Sequence, residues 1–191
     1  MVTDLLTIKK NPLLEKYLRN LLGNEYEIFL CASPEPRCIR LNALKPAYVN
    51  ILRNLIDLGA EFTPLDFSDL GYSIKSEQNN ISQSLDFFKG NFTFQGASSQ
   101  LPPIILDPRP CEKVLDMAAS PGSKTTQLAA LMQNKGILIV NDSNRNRMTA
   151  LNANTQRCGV FNHCIYYLEG ERLGRLFPQY FDKVLLDTPC S

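Results

Sequence analysis

The stretch Val114–Met132, with the sequence VLDMAASPGSKTTQLAALM, decides the fold of this chain. Its first residues are apolar around Asp116 and predict a short buried strand. From Ser123 the pattern becomes helical, with side chains of one face at Thr125, Leu128, Leu131 and Met132. The loop between strand and helix is built of small residues and lets a ligand approach the backbone. The first turn of a helix offers unpaired N–H groups and a positive dipole end, so this stretch predicts a site for a carboxylate or phosphate.

The loop lacks the glycine patterns of two common nucleotide-binding loops, which argues against the ligands that those loops bind. Ser123 separates Gly122 from Lys124, so the loop is not a P-loop, and the glycine pattern of a dinucleotide-binding loop is absent too. A second strand, Ile137–Val140, ends in Asn141-Asp142. Asp142 follows Gly122 at about the interval, roughly 20 residues, at which a βαβ unit places an acid on a ribose. The same spacing also fits an ordinary βαβ crossover in which Asp142 caps the next helix.

The rest of the C-terminal half alternates strands and helices. A helix after Asp142, capped by Ser143 or Asn144 and ended by Gly159, is predicted from the face Met148, Leu151, Thr155 and Cys158. Further strands are predicted over Cys164–Leu168 and Phe181–Leu186. Such alternation predicts a parallel sheet, whose ligands bind beyond the carboxyl ends of the strands. Four segments fall at those ends: Met117–Gly122, Asp142, Glu169 and Asp187–Cys190.

The N-terminal half predicts a small α+β module. Residues 1–30 predict a helix with an apolar stripe ended by Gly23, namely Leu13, Leu14, Tyr17, Leu18, Leu21 and Leu22. After a proline-rich break come a strand, a helix and two strands: Cys38–Leu44, Pro46–Leu58, Phe62–Phe67 and Tyr72–Lys75. The cations Arg40, Lys45 and Lys75 either meet phosphates or are solvated surface charges, and the sequence leaves both interpretations open.

Two segments connect the halves. Gln95–Gln100 favours the entry of a helix capped by Ser98 or Ser99. The prolines at 102–103 and 107–110 indicate the approach to the first strand of the parallel sheet.

Composition excludes several classes of protein. The net charge of +1 gives no argument for nucleic-acid binding, and no apolar run is long enough to cross a membrane. The six cysteines have no spacing typical of a metal site, so no metal is predicted, and free thiols in a reducing cytoplasm are the simplest interpretation.

Four motifs in order resemble the NOP2/Sun family of RNA cytosine-C5 methyltransferases. They are RLNALK at residues 40–45, FQGASS at 94–99, DMAASPGSKTT followed by Asn141-Asp142, and FDKVLLDTPCS at the end. The sequences PGSKTTQ and ALNANTQRCGV are most similar to those of the family branch that acts on bacterial 16S ribosomal RNA. The resemblance implies an α/β, Rossmann-like methyltransferase domain from residue 97 to 191, incomplete in this chain. An RNA-recognition-like module over residues 1–96 would precede it.

The resemblance also implies a cofactor, S-adenosyl-L-methionine, and roles for individual residues. The methionine part would lie on the loop Ala118, Ala119, Ser120, Pro121, Gly122, Ser123 and Lys124. Asp142 would accept the ribose hydroxyls with support from Arg147, and Glu169 stands where the family often has an Asp near the adenine. Asp187 and Lys124 would orient the cytosine, while Arg40 and Lys45 would contact RNA. The substrate would be rRNA rather than tRNA, and the full-length enzyme a monomer.

Cys190 follows Asp187-Thr188-Pro189 and resembles the family's cysteine that assists release of the methylated RNA. The family's attacking cysteine, whose thiolate adds to cytosine C6, belongs to a later motif. The chain is therefore expected to bind the cofactor weakly, to transfer no methyl group and to self-associate through an apolar sheet edge. Three alternatives stay open: an inert thiol at Cys190, a methyltransferase of another substrate, and a non-catalytic binding module.

Overall fold

A computed structural model of the chain describes residues 11–31, 35–46 and 48–188, without the side chain of Val49. By its internal contacts the chain divides into two compact units, and the division falls between Pro36 and Arg37. None of the helices described is both long and apolar enough to cross a membrane.

The first unit is helical, as its apolar stripe predicts, but the helix is broken. Helix α1 (Pro12–Leu22) begins where the Asn11 side chain accepts the N–H of Leu14, and it ends at Gly23. A 3₁₀ turn over Gly23–Glu25 leads into α2 (Tyr26–Cys31). Helix α1 has no buried residue, so the predicted stripe is not part of a core within the described residues. Residues 1–10 of the predicted helix lie outside the description.

The second unit begins with an antiparallel sheet. Its elements in chain order are β1 (Cys38–Leu41), α3 (Tyr48–Asp57), β2 (Ala60–Leu65), β3 (Ser68–Glu77), a 3₁₀ turn (Ile81–Gln83), α4 (Leu85–Phe88) and β4 (Phe92–Phe94). The spatial order is β2-β3-β1-β4, and its core includes the buried Ile39, Ile51 and Phe92. The strand–helix–strand–strand order is as predicted. The fourth strand was missed because it has only three residues and is recognisable only by its pairing with β1.

Helix α5 (Ala97–Leu106) was not expected to contain Pro102 and Pro103, which the sequence suggested to be part of an approach loop. The helix begins after Gly96 without a side-chain cap, so the prediction that Ser98 or Ser99 caps it is wrong. Proline normally breaks a helix because it lacks an N–H. Here the amide of Gln95 compensates: its Nε2 donates to the Ser99 carbonyl at 3.0 Å, the acceptor that an N–H at position 103 would otherwise reach.

A parallel sheet follows and confirms the predicted alternation. Its elements are β5 (Lys113–Asp116), α6 (Ser123–Leu131), β6 (Ile137–Asn141), a 3₁₀ turn (Arg145–Arg147), α7 (Met148–Cys158), β7 (His163–Tyr166), α8 (Gly170–Leu176) and β8 (Lys183–Leu185). Val114 and Leu138 pack with α6 and α7, while Leu115 and Ile139 pack with Leu173 of α8. Helices therefore cover both faces of the sheet, as alternation of side chains along buried strands requires.

The strand order is β7-β6-β5-β8, with every neighbouring pair parallel. The chain moves outward from β5 through β6 to β7 and then returns to the other side of β5. At such a reversal the loops diverge and open a crevice at the carboxyl ends of the strands, where ligands of open α/β sheets bind. Among the described strands β8 is an edge, as expected. Leu131, predicted to share one helix face with Leu128 and Met132, is exposed at the end of α6, whereas those two residues are buried.

Candidate functional site

The loop between β5 and α6 is a compact turn held against β6. Gly122 has a φ of 103°, which strongly favours glycine, and its N–H donates to the Ala119 carbonyl at 2.7 Å. A Cβ at Gly122 would lie 3.1 Å from Leu151 Cδ1, so side-chain space is also limited. The Ala119 N–H donates to the carbonyl of Asn141 at 2.8 Å. The loop therefore has one defined position over the carboxyl end of β6.

Asn141 joins the carboxyl ends of three strands. Its Nδ2 donates to the carbonyls of Met117 and Leu168 at 3.1 and 2.9 Å, and its Oδ1 accepts the Leu168 N–H at 2.9 Å. These residues directly follow or lie close after β5 and β7. The sequence analysis gave Asn141 no role, although a polar residue directly after a buried apolar strand was a usable signal.

Asp142 is buried and organises the same region. Its Oδ2 accepts the N–H of Ser120 at 3.0 Å, and its Oδ1 accepts the N–H of Asn144 at 2.8 Å. Arg147 Nη1 lies 3.8 Å from Asp142 Oδ2, and its Nη2 donates to the Ser120 carbonyl. The Ser120 hydroxyl in turn donates to the Arg147 carbonyl at 2.7 Å. The predicted pair of Asp142 and Arg147 is thus brought together, with the loop between its two members.

A second ion pair joins the start of α6 to the end of β8. Lys124 Nζ lies 2.5 Å from Asp187 Oδ2, and both side chains are partly exposed. The two residues are far apart in sequence but adjacent in space because β8 returns beside β5. Their proximity is as the sequence predicted. Because both side chains are partly exposed, one ligand could contact the cation and the anion together.

A cavity of about 300 Å³ opens between these groups. It is lined by Ser99, Ala118, Ala119, Ser120, Pro121, Ser123, Lys124, Arg147, Asp187 and Thr188. Eight of these ten residues were predicted site residues, while Ser99 was predicted only as a possible helix cap and Thr188 only as part of the segment Asp187–Cys190. Three predicted residues do not line this cavity: Gly122 is buried within the loop, Asp142 is buried next to Ser120 and Arg147, and Glu169 is exposed at the start of α8.

The structure contradicts one of the predicted RNA contacts and leaves two other predicted roles untested. Arg40 was expected to contact RNA phosphates, but it is 3% exposed and its guanidinium bonds to protein groups, so that prediction is wrong for this structure. All four residues of β1 are buried, so alternation of polar and apolar residues along the strand could not show that Arg40 faces the interior. Lys45 is half-buried, and its contact with RNA stays a prediction. Cys190 lies outside the described residues, so its predicted role is not placed.

Asp116 is a buried acid that the sequence analysis had not singled out. It ends β5 at 2% exposure, and the hydroxyl of Thr125 donates to its Oδ2 at 2.7 Å. Burial raises the pKa of this carboxyl from an ordinary 3.8 to about 6, although the Thr125 hydrogen bond and Lys124 act in the opposite direction. The described residues contain no cluster of acids, histidines and cysteines suited to a metal ion.

The raised pKa of Asp116 predicts a pH-dependent stability. Between about pH 4 and pH 6 the native state keeps a proton that the unfolded chain releases. This group should therefore stabilise the fold below about pH 4 and lose that effect as pH rises through 6. Two units of pKa correspond to about 3 kcal/mol. Asp116→Asn should remove this slope in urea unfolding measured from pH 4 to pH 7. A difference between variant and wild type that does not change with pH would contradict the assignment, and exposed Asp107→Asn is the control.

The sheet order and the cavity at its reversal define an α/β Rossmann-like fold, and the solved structures similar to it include methyltransferases. The solved structure of a methyltransferase homolog protein from Pyrococcus horikoshii superposes with a TM-score of 0.84 at 35% identity, over 98% of this chain and 62% of that one. Residues 103–191 match the family model described as 16S rRNA methyltransferase RsmB/F. This match covers somewhat less than half of the chain, and it points to the same kind of protein as the four sequence motifs.

Two relatives of known activity are similar over most of the chain. The 26S rRNA (cytosine-C(5))-methyltransferase nsun-1 of Caenorhabditis elegans is 38% identical over 88% of this chain and 26% of its own length. The tRNA (cytosine(49)-C(5))-methyltransferase of Pyrococcus abyssi is 39% identical over 94% of this chain and 57% of its own length. The chain therefore spans between about a quarter and somewhat over a half of these relatives.

Proposed function

We propose that this chain carries the S-adenosylmethionine-binding part of an RNA cytosine-C5 methyltransferase. The observation that carries the proposal is the convergence of three elements on one cavity: the small loop after β5, Arg147 after β6 and the Lys124–Asp187 pair. The similarity to rRNA and tRNA cytosine-C5 methyltransferases supports the reaction. The match to a 16S rRNA family model supports rRNA as the substrate.

The residues present fit this cofactor. The cavity volume of about 300 Å³ lies at the lower end of the range for small-molecule sites. The Gly122 turn leaves the backbone open to a ligand, and the start of α6 favours a carboxylate such as that of the methionine part. In the described residues each carboxylate oxygen of Asp142 accepts one backbone N–H bond. A carboxylate has about four acceptor positions, so capacity remains for ribose hydroxyls.

S-adenosylmethionine, when bound, supplies an electrophilic methyl group on a sulfonium. The loop Ala118–Lys124 would hold the methionine part, and Asp142 would accept from the ribose. Arg147 would keep Asp142 and the loop in register through its bonds to both. Glu169 would contact the adenine from the start of α8. These roles together fix the cofactor at the carboxyl edge of the sheet.

Lys124 and Asp187 are suited to hold a cytosine. The ring presents an exocyclic amine, which a carboxylate accepts, and a carbonyl oxygen, to which an ammonium donates. The ion pair at 2.5 Å keeps both groups beside the loop, so the base and the cofactor would meet at one place. Holding two reactants in this way lowers the entropic part of the barrier.

The remaining parts of the proposal concern the surroundings of the site. Residues 1–96 would act as the RNA-facing module and residues 97–191 as the first part of the methyltransferase domain. Lys45 would contact RNA from the first of these, and Cys190 would assist release from the second. The full-length enzyme would act as a monomer in a reducing cytoplasm, where cysteine thiols persist.

Titration calorimetry with S-adenosylmethionine tests the cofactor assignment on the chain as it stands. We expect one cofactor molecule bound per chain and displacement by S-adenosylhomocysteine, which shares every part except the methyl group. NAD and ATP serve as matched controls, because both carry an adenosine but need phosphate-binding loops that this chain lacks. Absence of binding, or equal binding of NAD, would contradict the proposal.

A further inference from the structure

Arg40 lies buried where the antiparallel sheet meets the start of α6. Its Nε donates to Gln95 Oε1 at 2.8 Å. Its Nη2 donates to Thr126 Oγ1 at 2.8 Å and to the Ser123 carbonyl at 3.3 Å. These partners are neutral, and burial lowers the pKa of the guanidinium to about 10, which leaves it charged at neutral pH. A buried charge is costly, so an arginine that makes two bonds to the first turn of α6 and one to Gln95 requires an explanation.

Gln95 extends the contact to a second segment. Its Nε2 donates to the Ser99 carbonyl at 3.0 Å and to Gln127 Oε1 at 2.8 Å. Gln127 Nε2 in turn donates to the Gln100 carbonyl at 2.9 Å. The network ends at three backbone carbonyls, those of Ser99, Gln100 and Ser123, and two of these residues, Ser99 and Ser123, belong to the lining of the candidate cavity.

We propose that Arg40 is a positioning residue for the cofactor cavity, acting with Gln95 through the Ser99 and Ser123 carbonyls. The inference rests on the proposed function, because it concerns the same cavity. Lys124 directly follows Ser123, so the turn that Arg40 holds also carries the cation that pairs with Asp187. The antiparallel module thereby sets the geometry of the cavity without lining it.

Arginine suits this position better than any other cation. Its planar fork reaches Gln95 with one edge and Thr126 with another, and it loses little freedom for each bond formed. The Thr126 hydroxyl also donates to the Ser123 carbonyl at 2.9 Å, so the guanidinium completes a closed set of bonds around one turn. A lysine ammonium is a single point donor and would not hold both partners.

A second cavity makes this proposal directly testable. It has a volume of about 260 Å³ and is lined by Arg40 and Gln127 among apolar residues that include Phe67, Leu70 and Ile104. Truncation of Arg40 to alanine would leave a guanidinium-shaped space that adjoins this cavity. Guanidinium ion from solution can then enter and restore the missing donors.

Arg40→Ala should weaken binding of S-adenosylhomocysteine by roughly three- to thirtyfold. Guanidinium chloride at low, non-denaturing concentration should restore much of the affinity. Sodium chloride and urea at the same concentration should not. Arg40→Lys should behave like Arg40→Ala. Thr126→Val, which removes one acceptor and keeps the side-chain shape, should show a smaller loss and provides the readout if Arg40→Ala does not fold.

Arg157→Ala is the matched control. Arg157 on α7 donates to the carbonyls of Phe87 and Phe92 and so also joins the two sheets, and its other bonds, to Thr93 and Asn154, do not reach α6 either. It should lower the free energy of unfolding, leave the affinity of the folded chain unchanged and show no rescue. Unchanged affinity in Arg40→Ala, or failure of guanidinium to restore it, would overturn the proposal.

Amide hydrogen exchange of the unliganded chain tests the positioning role of Arg40 independently of whether the chain binds the cofactor. Amides of residues 123–126 should exchange faster in unliganded Arg40→Ala than in Arg157→Ala, and guanidinium should slow them again. A wild-type chain that binds no S-adenosylhomocysteine but shows this pattern would contradict the proposed function alone. Equal exchange in the two variants would overturn the positioning role.

Discussion

Asp142→Ala should lower the affinity for S-adenosylhomocysteine by roughly ten- to a hundredfold, corresponding to about 1.5–3 kcal/mol for a charged hydrogen bond. The carboxylate is the proposed ribose acceptor, and it is also the partner of the Ser120 and Asn144 N–H groups. Its loss therefore removes a ligand contact and leaves buried donors unpaired. Titration calorimetry measures the effect, with exposed Asp107→Ala as the control for loss of a carboxylate.

An analogue of S-adenosylhomocysteine without the ribose hydroxyls separates the two causes of this loss. If Asp142 accepts from the ribose, the penalty of Asp142→Ala should be clearly smaller with the analogue than with the parent compound. The same penalty with both ligands would limit Asp142 to support of the loop. This comparison is a double-mutant cycle between protein and ligand.

Gly90→Ala should lower the free energy of unfolding by roughly 2–5 kcal/mol. Gly90 has a φ of 71°, and its added Cβ would lie 2.1 Å from the Arg157 carbonyl oxygen. A left-handed conformation costs a non-glycine residue about 1–2 kcal/mol, and overpacking adds about 1–3 kcal/mol. The Gly90 carbonyl accepts from Asn42 Nδ2 at 2.8 Å, which hinders a shift of the backbone. Urea unfolding measures the loss.

Gly159→Ala is the matched control for this variant. Gly159 has a φ of 75°, but the nearest atom to its added Cβ is the mobile end of the Lys45 side chain at 3.3 Å. It should therefore cost only the conformational part, about 1–2 kcal/mol. Equal losses in the two variants would show that the close approach of Gly90 to Arg157 does not limit stability.

The parallel half of the fold was predictable because its signals are local. A short apolar run, a loop of small residues and a helical period identify β5, its loop and α6, and a parallel sheet brings strand ends together by its topology alone. The same topology explains why Lys124 and Asp187, which only the family resemblance had paired, lie together in the structure. Asp142 and Arg147 were paired only through the family resemblance, and the structure places them together because both follow β6.

The features that were missed depend on contacts between distant segments. Arg40 lies on a strand where a solvated or RNA-bound cation is equally consistent with the sequence, and only the packing of α6 against it decides its burial. Pro102 and Pro103 predict a helix end, yet the Gln95 amide supplies a bond that the prolines cannot. A compensating partner of this kind cannot be inferred from helix propensity, because it belongs to tertiary structure.

The order β7-β6-β5-β8 has a consequence for how the cavity comes into being. No two neighbouring strands of this sheet are joined by a hairpin. The pairing that completes the cavity is that of β5 with β8, and it places Leu115 opposite Val184, two residues that are far apart in the sequence. Closing a long loop costs chain entropy before the contacts that it permits are formed. A partly folded chain without this pairing has no Lys124–Asp187 pair and no complete cavity. Cofactor binding therefore selects the fully assembled sheet, and a bound cofactor stabilises that state over every incomplete one.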